Sequence, residues 1–208
     1  MIMAAPATHI VLANKIYKKH FSDKDFAKFI VGTSFPDIRY MGVIDRNVTH
    51  FRNLKLNDIK SENSFTAGLK VHSLVDEVRE KFVRENGLYD LFPESQFRIQ
   101  GVKFFEDRVL YDKIDNWSEI LLSFDKVYDE EIDFGVSKTS IERWHKYLIS
   151  ILTHKPTDKV LELFISEIGK PKEMAEELKK VANNPDNQKE ASNIILKFYD
   201  NFEELILS

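Results

Sequence analysis

Cysteine is absent from the 208 residues, which excludes disulfides, thiolate metal ligands and a cysteine nucleophile. Only histidine, aspartate and glutamate then remain as side chains suited to hold a metal ion. Glycine (seven) and proline (six) are scarce and fall mostly between stretches of helical periodicity, so the chain reads as helices joined by short connections. No apolar run approaches the roughly 18 to 20 residues that a membrane span requires. No lipidation signal or basic amphipathic helix is present either. The opening stretch, Met-Ile-Met-Ala-Ala-Pro-Ala-Thr-His, has no basic start and turns polar at Thr8-His9, so it does not read as a secretory signal and a cytoplasmic protein is expected. Nor is there an excess of positive charge. Thirty basic and 34 acidic residues are interspersed, a balance that gives no strong nucleic-acid signal.

What is present predicts an all-α, single-domain multi-helix bundle over residues 1–208, with a metal-binding helical core at 1–155 and a C-terminal helical extension at 156–208. Helices are expected from about Thr8 to His20, from Ser22 as a cap to a stop at Gly32, and from Ser64 to Glu85, the last ended by Asn86-Gly87. Residues 33–63 read as loops with one short helix. Further helices are expected at about Ser95–Ile114, Trp117–Val127, Ser140–Leu152, Thr157–Ile168, Pro171–Val181 and Asn184–Ile206. The acidic stretch Tyr128–Asp133 reads as a solvated loop.

Five side chains within the first 76 residues carry the candidate chemistry: His9, Asp37, His50, His72 and Asp76. His72 and Asp76 are four apart on the clearest helix, which puts an imidazole and a carboxylate on one face a turn apart. That spacing alone is weak. About one such pair is expected by chance from six histidines and 34 acids, and the chain has two. The other, His154 and Asp158, encloses Pro156 and is not helical across the pair. His72 and Asp76, by contrast, interrupt a face that buries Val71, Leu74, Val75 and Val78, where a carboxylate needs a cation or donors. Without such a cation the pair would be an ordinary helix-surface contact, and His9, Asp37 and His50 would be caps or satisfied polar groups.

The blocks Pro6-Ala-Thr-His9 with Leu12-Ala13, Phe35-Pro36-Asp37, Thr49-His50-Phe51 and Gly68-Leu-Lys-Val-His72-Ser-Leu-Val-Asp76 resemble, in order, those of the zinc-dependent phospholipase C family, more distantly the S1/P1 nucleases. The resemblance covers approximately residues 6 to 80. It implies a helical fold of that type and hydrolysis of a phosphodiester or phospholipid headgroup by a metal-activated water. It also implies that Asp37, His50, His72 and Asp76 hold one ion, with Asp76 bridging to a second that His9 binds. Zinc is the first expectation for one or two ions, with iron or manganese served by the same donors.

Asp37 is the expected base, and Arg39, Arg46 and Arg79 are candidates to hold a phosphate. The substrate would be a small-molecule or lipid phosphoester. Two departures are visible. Eight residues precede His9, whereas secreted members use their mature N-terminal residue as a ligand. Around Phe82 there is no histidine to start a third site, leaving Glu80, Glu106, Asp107 or Asp112 to rebuild it. A helical binding or scaffold protein with a partial structural metal site is the alternative these departures favour. No adjacent His-Asp pair occurs, so the HD-domain pattern does not fit.

Overall fold

The computed structural model describes residues 6–207; residues 1–5, on which part of the reading of the opening stretch rests, lie outside them. Twelve α-helices and three short 3-10 helices, with no strand among the described residues, surround one continuous apolar core. In chain order the α-helices are α1 (Pro6–His20), α2 (Phe26–Ser34), α3 (Arg46–Thr49), α4 (Leu56–Lys60), α5 (Ser64–Glu85) and α6 (Arg98–Leu110). They continue as α7 (Trp117–Leu122), α8 (Asp129–Ile132), α9 (Lys138–Leu152), α10 (Asp158–Glu167), α11 (Lys172–Ala182) and α12 (Gln188–Leu207). No described helix is long and apolar enough to cross a membrane.

α5 is the central element. Asn63 caps it by accepting from the Thr66 N–H at 2.9 Å, and Phe65, Leu69, Val75 and Phe82 on its apolar face are buried. Its closest partner is α2, and the approach depends on a glycine from each helix. A Cβ on Gly32 would lie 2.1 Å from the Phe65 carbonyl oxygen, and one on Gly68 would lie 2.0 Å from that of Phe29. Gly32 therefore does not stop α2, as local glycine rules suggest. The helix runs two residues past it, and the missing side chain admits the neighbouring backbone. The cap of α2 is Asp25 rather than Ser22: its carboxylate accepts from the Lys28 N–H at 2.9 Å, while its own N–H donates to Ser64 Oγ at 2.8 Å.

Residues 33–63 are more ordered than expected, with a 3-10 helix over Phe35–Met41 followed by α3 and α4. The acidic stretch 128–133 is also not a solvated loop. It forms α8, with Glu131 fully buried because the Tyr128 N–H and His145 Nε2, both at 2.9 Å, satisfy its carboxylate. The C-terminal helices join the main core: α11 packs on α6, and α12 on both α5 and α6.

Candidate metal centre

α1 begins with Pro6 and has no acidic residue in its first turn. An acceptor for that turn comes from α6. Asp107 Oδ1 receives hydrogen bonds from both the backbone N–H and the hydroxyl of Thr8, each at 2.7 Å, and this anchors the first turn of α1 one residue before His9. The 3-10 helix after α2, with Pro36 in its first turn, turns the buried Asp37 inward. His50 ends α3, held by the Phe51 N–H donating to Ser73 Oγ of α5 at 3.1 Å. His72 and Asp76 come from the middle of α5.

All five side chains meet. His9 Nε2 lies 3.3 Å from Asp76 Oδ1; His50 Nε2 and His72 Nε2 lie 3.7 and 3.9 Å from Asp76 Oδ2; and His72 Nε2 lies 4.0 Å from Asp37 Oδ1. The rings of His9 and His72 stack at 3.9 Å and 6°, while His50 stands edge-on to His72. The ligand atoms of His9, His72 and Asp76 lie within 4.8 Å of one another, a grouping suited to a metal ion.

The protonation of two of the three imidazoles, His50 and His72, agrees with that use. His72 Nδ1 is 2.9 Å from the Thr33 carbonyl oxygen and must donate to it, so the Nε2 lone pair faces the centre. Thr49 Oγ1 lies 3.1 Å from His50 Nδ1 and orients that ring. His50 Nε2 and His72 Nε2 are buried without a hydrogen-bond partner, a costly arrangement that a cation relieves. Burial, followed by the Arg46 and Arg39 charges, lowers His50 to about 3. His72 is held well below the usual histidine value, first by burial and then by His9. Both rings are therefore neutral, as ligands must be. Burial opposes the protonation of His9, but its hydrogen bond to Asp76 and the charges of Asp76 and Asp37 outweigh that and raise it. Burial also disfavours the charge on Asp76, yet Lys103 and His9 keep it well below the carboxylate range; Asp37 is raised, chiefly by burial.

No family model, curated protein or solved structure matches the chain.

Asp76 has the most exposed side chain of the five, and it lines a cleft of about 500 Å³. Arg39, Arg46, Arg52, Arg84 and Lys103 line this cleft with His50, Phe51 and Ile99. Arg39 stacks 4.1 Å over the Tyr40 ring, donates to its hydroxyl at 2.6 Å, and reaches Asp37 Oδ1 at 3.5 Å. Arg46 approaches Asp76 Oδ2 at 3.3 Å. Arg79 is placed differently from the expectation: its buried guanidinium is engaged by Glu106 at 2.6 and 2.9 Å, Glu80 at 2.9 Å and Tyr89 at 2.6 Å, and it does not line the cleft.

The acids considered for a third site are likewise committed elsewhere. Glu106 holds Arg79, Glu80 also accepts from Arg84 and Tyr89, Asp107 caps α1, and Asp112 pairs with Lys155. The residue that sequence reasoning missed is Lys103 of α6, whose Nζ lies 3.4 Å from Asp76 Oδ1. A single lysine on a charged helix carries no periodicity or spacing that would single it out.

Proposed function

We propose that this centre binds a divalent metal ion and hydrolyses a phosphoric ester lying in the adjacent cleft. The observation that carries the reading is the convergence of three imidazoles and two carboxylates from four separate segments, with the Nε2 atoms of His50 and His72 buried and bare. Structural ion pairs do not require that donor set. Three imidazoles and two carboxylates suit zinc, with iron and manganese as alternatives. The convergence of all four motif blocks at one point supports kinship with the zinc-dependent phospholipase C family and a fold of the P1 nuclease type.

When bound, the ion lowers the pKa of a water and offsets charge on the phosphate oxygens. The chain supplies the rest. Arg39, Arg46 and Lys103 face the cleft at the Asp37 and Asp76 end and attract a phosphate, with Arg39 preorganised by its stacking on Tyr40. Asp37 orients the attacking water and receives its proton, since Arg39 reaches only one of its oxygens and at 3.5 Å. Phe51 and Ile99 give the cleft an apolar side for the alcohol portion of a small-molecule or lipid ester. The commitment of Glu80, Glu106, Asp107 and Asp112 to other partners favours a second reading, a helical scaffold with one structural ion.

Turnover separates the two readings. Protein purified without chelator should contain tightly bound metal and release p-nitrophenol from bis(p-nitrophenyl) phosphate, and His72→Ala should abolish both while retaining the helical circular dichroism. Bound metal without turnover on this or lipid phosphodiesters would select the scaffold. Protein that takes up no metal overturns both readings.

A further inference from the structure

Asp76 is the one carboxylate of the centre with charged groups on both of its oxygens. Oδ2 faces His50, His72 and Arg46; Oδ1 faces His9 at 3.3 Å and Lys103 at 3.4 Å. A carboxylate that bridges two metal ions gives one oxygen to each, so Oδ1 is the oxygen a second ion would need. Lys103 is rooted in α6, its side chain is 16% exposed, and its ammonium already stands beside that oxygen. Resting on the metal-centre reading above, we propose that the centre is built for one ion, and that the Lys103 ammonium takes the place of a second cation.

Three observations carry this. First, the ligand atoms of His9, His72 and Asp76 all lie within 4.8 Å of one another, close enough for one ion to draw on all three. The residue that the motif pattern would give to a second ion is thereby within reach of the first. Second, the neighbouring acids that could complete another ligand set have other partners: Glu80 and Glu106 are held by Arg79, and one oxygen of Asp107 by Thr8. Third, an ammonium within a few ångströms repels a dication at short range, and this polar but largely enclosed place screens that repulsion less than water would. One lysine charge thus supplies part of the compensation Asp76 needs, with no ligand set of its own. It also leaves a fixed hydrogen-bond donor in the cleft, where a phosphate oxygen can be met by the ion on one side and Lys103 on the other.

Manganese(II) provides a test that does not depend on turnover, because its electron paramagnetic resonance separates isolated ions from coupled pairs. The full chain, stripped with chelator and titrated with Mn²⁺, is expected to bind one tight equivalent with the spectrum of an isolated ion. Lys103→Glu, which exchanges the ammonium for a ligand, is expected to bind two equivalents and to show the broadened spectrum of a coupled pair. If Lys103→Glu loses its helical circular dichroism, Lys103→Met serves instead, with a second, weaker equivalent expected at higher Mn²⁺. Two tight equivalents in the unaltered protein overturn the proposal and leave the metal centre standing. A single equivalent in every folded Lys103 variant overturns it as well, because the lysine is then not what excludes the second ion. No binding by the unaltered protein overturns the metal centre itself, and this proposal with it.

Discussion

Replacing Gly68 with alanine tests whether the metal centre depends on the glycine contact between α2 and α5. A Cβ at this position meets the Phe29 carbonyl oxygen at 2.0 Å and the Thr33 nitrogen at 2.8 Å, both backbone atoms that no rotamer change can move. Restoring an ordinary 3.4 Å contact to Phe29 requires the two helices to part by about 1.4 Å locally. The His72 Nδ1 bond to Thr33, now 2.9 Å, crosses the same interface and would stretch beyond hydrogen-bonding range. Overpacking costs about 1 to 3 kcal/mol and the lost hydrogen bond about 1 kcal/mol. Against these, alanine gains about 1 kcal/mol of helix propensity over glycine. The net expectation is a loss of about 1 to 3 kcal/mol in urea denaturation. Because His72 loses the partner that orients it, metal affinity should fall about 10- to 100-fold in a competition titration. Thr66→Ala, on the same helix, adds no atom to the interface and is the control. If Gly68→Ala is as stable as the parent and binds metal equally well, the close approach is not what positions His72.

The remaining predictions concern buried charges around the centre. Desolvation raises Asp107 to about 7, against the lowering effect of its two bonds from Thr8. The folded state therefore keeps a proton that the unfolded chain releases near pH 4, and this part of the stability falls as pH rises from about 4 through 7. Asp107→Asn keeps the acceptor without the titration, so in chelator its stability should decline less than the parent's between pH 5 and 8; parallel curves would refute the assignment. Glu106→Ala strands the Arg79 guanidinium in a buried site and should cost about 3 to 5 kcal/mol in denaturation while metal stoichiometry is unchanged. A change in stoichiometry would instead place Glu106 among the ligands.

Much of the architecture was legible because it rests on local rules. The period of apolar residues and the Asn63 cap define α5, and the spacing of His72 and Asp76 on it puts both on one face. Local rules failed where a tertiary contact reverses their meaning. Gly32 looks like a helix stop, yet its lack of a side chain serves the Phe65 backbone on another helix. Glu131 looks solvated among Asp129, Glu130 and Asp133, yet His145 and the Tyr128 N–H make its burial tolerable. Arg79 looked free to hold a phosphate, but Glu106, 27 residues away on another helix, occupies its fork. No window of sequence contains such a pair.

The same long-range logic couples the centre to the core. Each candidate ligand outside α5 has a backbone group on or leading into its segment tied by a hydrogen bond to α5 or α6: Thr33, in the last turn of α2 before the Asp37 segment, to His72; Phe51, just after His50, to Ser73; and Thr8, just ahead of His9, to Asp107. In all three ties a main-chain group of the ligand segment meets a side chain on the long helices. A backbone tie fixes where the ligand's own chain begins, which a bond between side-chain tips would not do. The five candidate ligands are therefore positioned by the packing of α5 and α6, independently of any ion. It follows that loosening those helices should be felt first as lost metal affinity, with helix content still intact.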